Sequence, residues 1–103
     1  MVLDSAALVT FFCGEPGAVA VGAALEQPTF MSAFSALELA AALPQVSARE
    51  LQKQLKLLGV QLMPLEAGVA LALGVLEPKE REAIAARALA KAQGLTVFSL
   101  KST

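Results

Sequence analysis

The chain has 103 residues, 56% of them hydrophobic and 17% charged, with a net charge of −1, which accommodates one domain with a modest core. It contains no histidine and a single cysteine, which excludes a Ser-His-Asp triad, a Cys-His pair, an imidazole zinc site and a disulfide within the chain. The longest run without charge, Gln27 to Leu37, has 11 residues, whereas a membrane span needs roughly 18 to 20. Because no basic segment precedes an apolar run at the N-terminus either, we expect a cytoplasmic protein that does not enter the membrane.

Apolar spacing and helix-breaking residues predict alternating strands and helices. The strands are expected over residues 1–4, 29–32, 60–65 and 95–100. The helices are expected from residue 4 or 5 onward, from 16 to about 26, from about 33 to 43, from 47 to about 58, over 66–76, and from 78 to 94. Pro16 and Pro78 suit first helical turns, Ser47 and Glu50 have the spacing of a capping box, and Gly94 is placed to end the last helix.

This alternation predicts an α/β fold with a small, mainly parallel sheet of four strands. The strands show little polar alternation, as expected when helices cover both faces of a sheet. In such folds the carboxyl ends of the strands lie along one edge, where ligands bind. No repeat or linker interrupts the chain, so residues 1–103 are expected to form a single domain.

Two carboxylates stand alone in apolar segments. Asp4, the only aspartate, is expected at the end of the first strand, and Glu38 about one and a half turns into the helix that follows the second strand. Burial of an unpaired carboxylate is costly, and two that converge at one sheet edge would favour a divalent cation such as Mg²⁺ or Mn²⁺. The alternatives are that Asp4 caps a helix and that Glu38 lies on a solvated helix face.

The sequence resembles the PIN-domain family, and in particular the VapC-type toxin ribonucleases. The similarity lies in MVLDSAALV (residues 1–9) followed by GEPG (14–17), MSAFSALE (31–38), LGVQLMPLE (58–66) and ALAKAQGLTVFS (88–99). It implies a three-layer α/β/α sandwich with a parallel sheet and descent from Mg²⁺- or Mn²⁺-dependent ribonucleases that act on RNA. It also implies a homodimer and an antitoxin protein as partner.

By this resemblance, Asp4 and Glu38 occupy the first two acidic positions and would be the catalytic metal ligands. The third acidic position falls on Ala83 and the fourth on Lys101, so both are vacated, while Ser99 matches the hydroxyl residue that ends the last strand. Glu80 and Glu82 are candidate helpers: Glu80 shares the helix face of Ala83, whereas Glu82 points about 100° away. The alternative role for both glutamates is to stabilise the positive end of the last helix.

The two vacated positions give two expectations about function. The first is a PIN-like ribonuclease relative with weak or lost activity, because two carboxylates hold a hydrated Mg²⁺ weakly and a lysine would repel it. The second is a non-catalytic module on the same fold that serves dimerisation or partner binding through its apolar surface.

Overall fold

The computed structural model describes residues 1–64 and 67–98, and for residues 78 and 79 the backbone alone. The described part of the chain is a mixed α/β fold with six helices and a small two-stranded parallel sheet. In chain order the elements are α1 (Ser5–Cys13), α2 (Ala18–Ala24), β1 (Thr29–Ser32), α3 (Ala33–Ala42), α4 (Ala48–Leu57), β2 (Val60–Met63), α5 (Ala67–Leu73) and α6 (Pro78–Gln93).

The sheet is smaller than the sequence predicts. β1 and β2 pair in parallel with Thr29 opposite Val60. Val2 adds single parallel bridges to Phe30 on one side and to Val97 on the other, so within the described residues the predicted first and last strands each contribute one bridging residue. The first segment is short because α1 already begins at Ser5; residues 99 and 100 of the last predicted strand lie outside the described residues. Over residues 1–64 and 67–98 the sheet therefore has two strands, and the predicted four-stranded sheet is not observed there.

Most helix boundaries follow the signals in the sequence. Ser47 caps α4 by accepting a hydrogen bond from the Glu50 backbone N–H at 3.1 Å. Only this half of the predicted capping box is observed, because the Glu50 carboxylate instead accepts from the Gln54 side chain at 3.0 Å. Gly94 ends α6 in the left-handed conformation (φ 66°) that the pattern predicts.

Two predicted helices are shorter than expected. The second starts at Ala18 rather than Pro16, because Gly17 holds a left-handed turn (φ 103°) before it. The fifth spans Ala67–Leu73 and so ends before residue 76, its predicted end, while its predicted start at residue 66 lies outside the described residues. In the described part of the chain no single helix is long and apolar enough to cross a bilayer; α1 and α2 together meet that test, but they are bent by 117°.

The hydrophobic core of the described part of the chain consists of two clusters that meet at the sheet. Leu3 and Met31 belong to the larger cluster, which also holds buried residues of α1, α2, α3 and α4. Val2 belongs to the smaller cluster together with buried residues of α6, and its bridge partner Phe30 packs against that cluster. Neighbouring residues of an extended segment point to opposite faces, so the short strands divide the core between α6 and the other helices.

Candidate functional site

Asp4 links the bridging segment to the first helix. It has an extended backbone (φ −102°, ψ 177°) and caps α1, because its Oδ1 accepts a hydrogen bond from the backbone N–H of Ala7 at 2.9 Å. The side chain of an N-cap residue satisfies one of the four backbone donors that a helix leaves unpaired at its start. The capping role that the sequence left open for Asp4 is therefore present.

Glu82 of α6 reaches the same end of α1. Its Oε1 accepts from the backbone N–H of Ser5, and its Oε2 accepts from the Ser5 hydroxyl at 2.8 Å. The positive end of the helix dipole favours a carboxylate here, and the two hydrogen bonds fix its orientation. A contact between residues 77 positions apart thus joins α6 to the start of α1.

The environment of Asp4 includes the negative charge of Glu82. Burial raises the pKa of the Asp4 carboxyl above its ordinary value, and the negative charge of Glu82 raises this pKa further. The hydrogen bond from Ala7 acts in the opposite direction because it favours the ionised form of Asp4. A bound cation would relieve the repulsion that this arrangement creates.

A pocket of about 460 Å³ lies beside Asp4. It is lined by Ala83 and Arg87 of α6 and by Phe98, among others. Ala83, the residue that the resemblance places at the third acidic position, therefore faces the same space as Asp4. The described residues of its lining include one carboxylate and one guanidinium, so they offer opposite charges to a ligand.

Of the other predicted site residues, Glu38 and Glu80 are described by the structure, and neither belongs to this arrangement. Glu38 lies half-buried on α3, and within the described ranges its side chain makes no hydrogen bond and does not line the pocket beside Asp4. Glu80 is exposed in the first turn of α6, which is the alternative role that the sequence offered for it. Ser99 and Lys101 lie outside the described residues.

Ser5 is the member of the site that the sequence did not reveal. It follows the capping aspartate and looks like any polar residue in a first helical turn, yet it is buried and donates twice to Glu82. On α6, Glu80 lies on the helix face of Ala83, whereas Glu82 points about 100° away from it. What decides between them is how closely α6 approaches α1, and spacing within one helix carries no information about that.

The carboxylates of this site suit a cation that binds weakly better than a cation that is bound permanently. Among the described residues no three His, Cys, Asp or Glu side chains form a group that could hold a metal ion. Asp4 and Glu82 remain as two neighbouring carboxylates, and both oxygens of Glu82 already accept hydrogen bonds. Mg²⁺ is often bound by one or two carboxylates together with substrate phosphates, and this pair fits only that kind of site.

Comparison with known proteins does not assign the chain to a family. No protein-family model matches it, and no curated protein matches it.

Proposed function

We propose that the chain is a PIN-like domain related to the metal-dependent ribonucleases of toxin–antitoxin systems, with an acidic site so reduced that nuclease activity is weak or lost. The observation that carries the proposal is that Asp4 lines a pocket together with Ala83 of α6, while Glu82 of the same helix accepts two hydrogen bonds from Ser5, the residue next to Asp4. In the family this place belongs to several acids. Here an alanine stands at the third position, and Glu82 is the acid that approaches from the same helix.

The arrangement of the elements supports the fold named in this proposal. All observed bridges are parallel, and Val2 lies between Phe30 and Val97. We count the bridging segments as the first and fourth strands, and the resulting order of elements agrees with the proposed three-layer α/β/α sandwich. Two core clusters on the two sides of the strands agree with three layers.

In the proposed site Asp4 and Glu82 are the acids that would hold Mg²⁺ or Mn²⁺, and Glu38 is retained as the family's second acid. When bound, the ion would activate a water molecule and neutralise charge on an RNA phosphodiester. Asp4 would present the oxygen that does not cap α1, and Ser5 would keep Glu82 in place. The guanidinium of Arg87 would attract the phosphate from the pocket wall.

Cleavage of single-stranded RNA in Mn²⁺ tests the enzymatic part. We expect slow cleavage by the wild type and a further loss in Asp4→Asn and in Glu82→Gln, with Glu80→Gln on the same helix as the matched control. Equal residual cleavage by all four proteins would show that the activity does not come from this site. If Glu38→Gln lowers the cleavage rate, Glu38 of α3 also belongs to the site. If Glu38→Gln cleaves like wild type, the site is confined to Asp4 and Glu82.

A gain-of-function variant tests the vacated position directly. Ala83→Asp adds a third carboxylate to the pocket, and ligand charge is a main determinant of affinity for hard cations. We expect it to strengthen Mn²⁺ binding measured by calorimetry and to increase cleavage, whereas Ala92→Asp, on the exposed surface of the same helix, should do neither. Unchanged Mn²⁺ affinity in Ala83→Asp would contradict the proposed geometry.

A second candidate function is a non-catalytic module for dimerisation or for binding a partner such as an antitoxin protein. The observation that favours it is the exposure of large apolar side chains, such as Val19 at 89% and Leu37 at 63%. Wild type that neither binds Mn²⁺ at millimolar concentration nor cleaves RNA, but does self-associate, would favour this candidate.

A further inference from the structure

The outer face of α4 carries a stripe of basic side chains. Arg49, Lys53 and Lys56 follow one another at spacings of four and three residues, so they lie along one side of the helix, and all three are exposed. Gln52 lies on the same side and is exposed as well. These four residues form the basic stripe. It is about 10 Å long, because each residue of a helix adds about 1.5 Å.

The acid of α4 is turned away from the basic stripe. Glu50 points about 100° around the helix from Arg49. Its Oε1 accepts a hydrogen bond at 3.0 Å from the side chain of Gln54, which also lies away from Arg49. Three clefts border α4, and the described residues that line them include no carboxylate. The local charge of this face is therefore positive, although the whole chain has a net charge of −1.

The basic stripe is separate from the pocket beside Asp4. Through Leu51 and Leu55, α4 packs on the larger core cluster. The α6 wall of the pocket packs on the smaller cluster, through Ala86. Because the short strands lie between the two clusters, a ligand of the stripe does not occupy the pocket. An inference about the stripe is thus independent of the proposed ribonuclease site.

The chemistry of the basic stripe favours duplex DNA as its ligand. A protein partner would need an apolar interface centre, and the stripe is wholly polar. Single strands bind through stacking on aromatic side chains, and none lies in the stripe. Proteins that bind duplex RNA contact two minor grooves over about 16 base pairs, which is far longer than the stripe. The major groove of B-DNA is about 12 Å wide and admits an α-helix between its two rows of phosphates.

We propose that the basic stripe of α4 binds double-stranded DNA through its phosphates, without sequence preference. Arg49, Lys53 and Lys56 each neutralise one phosphate, and Gln52 donates its amide N–H groups to the DNA backbone. Each neutralised phosphate releases condensed counterions and contributes about −0.9 to the slope of log K against log salt, so three give about −2.7. Three contacts give weak binding, with a dissociation constant of about 10⁻⁴ M at physiological salt and about 20-fold lower at about one third of that salt.

Fluorescence anisotropy with a labelled DNA duplex of about 20 base pairs, at about 25 to 200 mM salt, tests the proposal. The buffer contains a chelator, so that no divalent cation at Asp4 contributes. We expect a slope of about −2.7 for wild type and a slope smaller in magnitude by about 0.9 for Lys53→Gln, which removes one charge. Lys91→Gln, at an exposed lysine of α6, is the matched control and should bind like wild type.

A triple variant with Arg49→Gln, Lys53→Gln and Lys56→Gln tests the stripe as a whole. We expect it to lose binding, while its circular dichroism melt stays like that of wild type because all three side chains are exposed. If the folded triple variant binds duplex DNA like wild type, another surface binds the DNA and the proposal is wrong. No binding by wild type at about 25 mM salt would also overturn it and would leave the stripe to an acidic protein.

Two further probes of the same length test the choice of duplex DNA. Single-stranded DNA should bind more weakly and with a slope of about −2.1, and duplex RNA should also bind more weakly. Equal or tighter binding of either probe would overturn duplex DNA as the ligand. RNA cleavage in Mn²⁺ is measured separately, so a failure of the proposed ribonuclease site leaves this result intact.

Discussion

At the scale of single residues, the double hydrogen bond between Ser5 and Glu82 is the contact that joins α6 to α1. Ser5→Ala removes the hydroxyl donor at 2.8 Å. A hydrogen bond to a charged group contributes about 1.5–3 kcal/mol, and partial exposure of Glu82 lowers this, so we expect a loss of about 1 kcal/mol in the free energy of unfolding. Urea denaturation measures it, and Glu80→Ala should change stability by less than about 0.5 kcal/mol.

A double-mutant cycle isolates this contact from other effects of the substitutions. In a Glu82→Ala background the hydroxyl of Ser5 has lost its acceptor, so Ser5→Ala should then cost little. The two single substitutions should therefore add up to more than the double substitution. If Ser5→Ala costs the same in both backgrounds, the hydroxyl stabilises the protein in some other way.

The raised pKa of Asp4 gives a prediction about pH. Because the pKa of Asp4 is higher in the folded than in the unfolded state, the stability gained from its proton is fully present below the ordinary value of 3.8 and is lost as the pH rises through the folded-state pKa. At pH 7 the ionised carboxylate therefore lowers stability. Asparagine caps a helix as well as aspartate and carries no charge. Asp4→Asn should thus melt at a higher temperature than wild type at pH 7, and the two proteins should converge toward pH 3.5.

These melts are to be made in a chelating buffer, so that no cation compensates the charge of Asp4. Asp4→Ala is the control for the capping hydrogen bond. It removes the cap of α1 and should lower the free energy of unfolding by about 1 kcal/mol. Glu82→Gln removes the neighbouring charge and should narrow the gap between wild type and Asp4→Asn. If the difference in melting temperature between wild type and Asp4→Asn does not change with pH, it does not arise from ionisation of Asp4.

At the scale of elements, Arg81 stabilises the turn between α5 and α6 through hydrogen bonds to two backbone carbonyls. Its guanidinium donates from Nε to the Leu76 carbonyl at 2.5 Å and from Nη2 to the Gly74 carbonyl at 3.2 Å. Lysine cannot make such a forked pair of hydrogen bonds. Arg81→Lys should therefore accelerate hydrogen exchange at the amides of residues 67–76 and lower global stability by less than about 1 kcal/mol.

The matched control for this prediction is Arg87→Lys, because Arg87 is an exposed arginine of the same helix. It should leave exchange in residues 67–76 unchanged. If Arg81→Lys instead accelerates exchange throughout α6, the arginine supports the whole helix rather than the turn.

Some elements could be predicted from the sequence, whereas others depend on contacts between distant parts of the chain. β1 and the start of α3 follow from local signals, since Ser32 ends an apolar run and accepts from the Ser35 backbone N–H at 3.0 Å. The first strand could not be predicted correctly, because Asp4 serves the helix and leaves too few residues for a paired strand. Glu82 could not be assigned to Asp4, because their proximity depends on packing between elements far apart in the chain.

At the scale of the whole molecule, the two core clusters meet along the short strands. Val2 and Leu3 are adjacent in the chain, yet each belongs to a different cluster, and Phe30 and Met31 are divided in the same way. The backbone hydrogen bonds of these residues, such as Leu3 N–H to the Phe30 carbonyl at 2.9 Å, are shared by both. Loss of one cluster should therefore remove the support of the other, and residues 1–103 should unfold as one unit.

Truncation of one buried leucine in each cluster tests this expectation. Leu39→Ala affects the larger cluster and Leu89→Ala the smaller one, and each should cost about 2–5 kcal/mol. In one cooperative unit both substitutions lower the urea midpoint without changing the slope of the transition. Helix content by circular dichroism and methyl signals of both clusters by NMR should then be lost together. If Leu89→Ala reduces the slope, and the signals of its own cluster disappear while those around Leu39 persist, then α6 unfolds separately from the other helices.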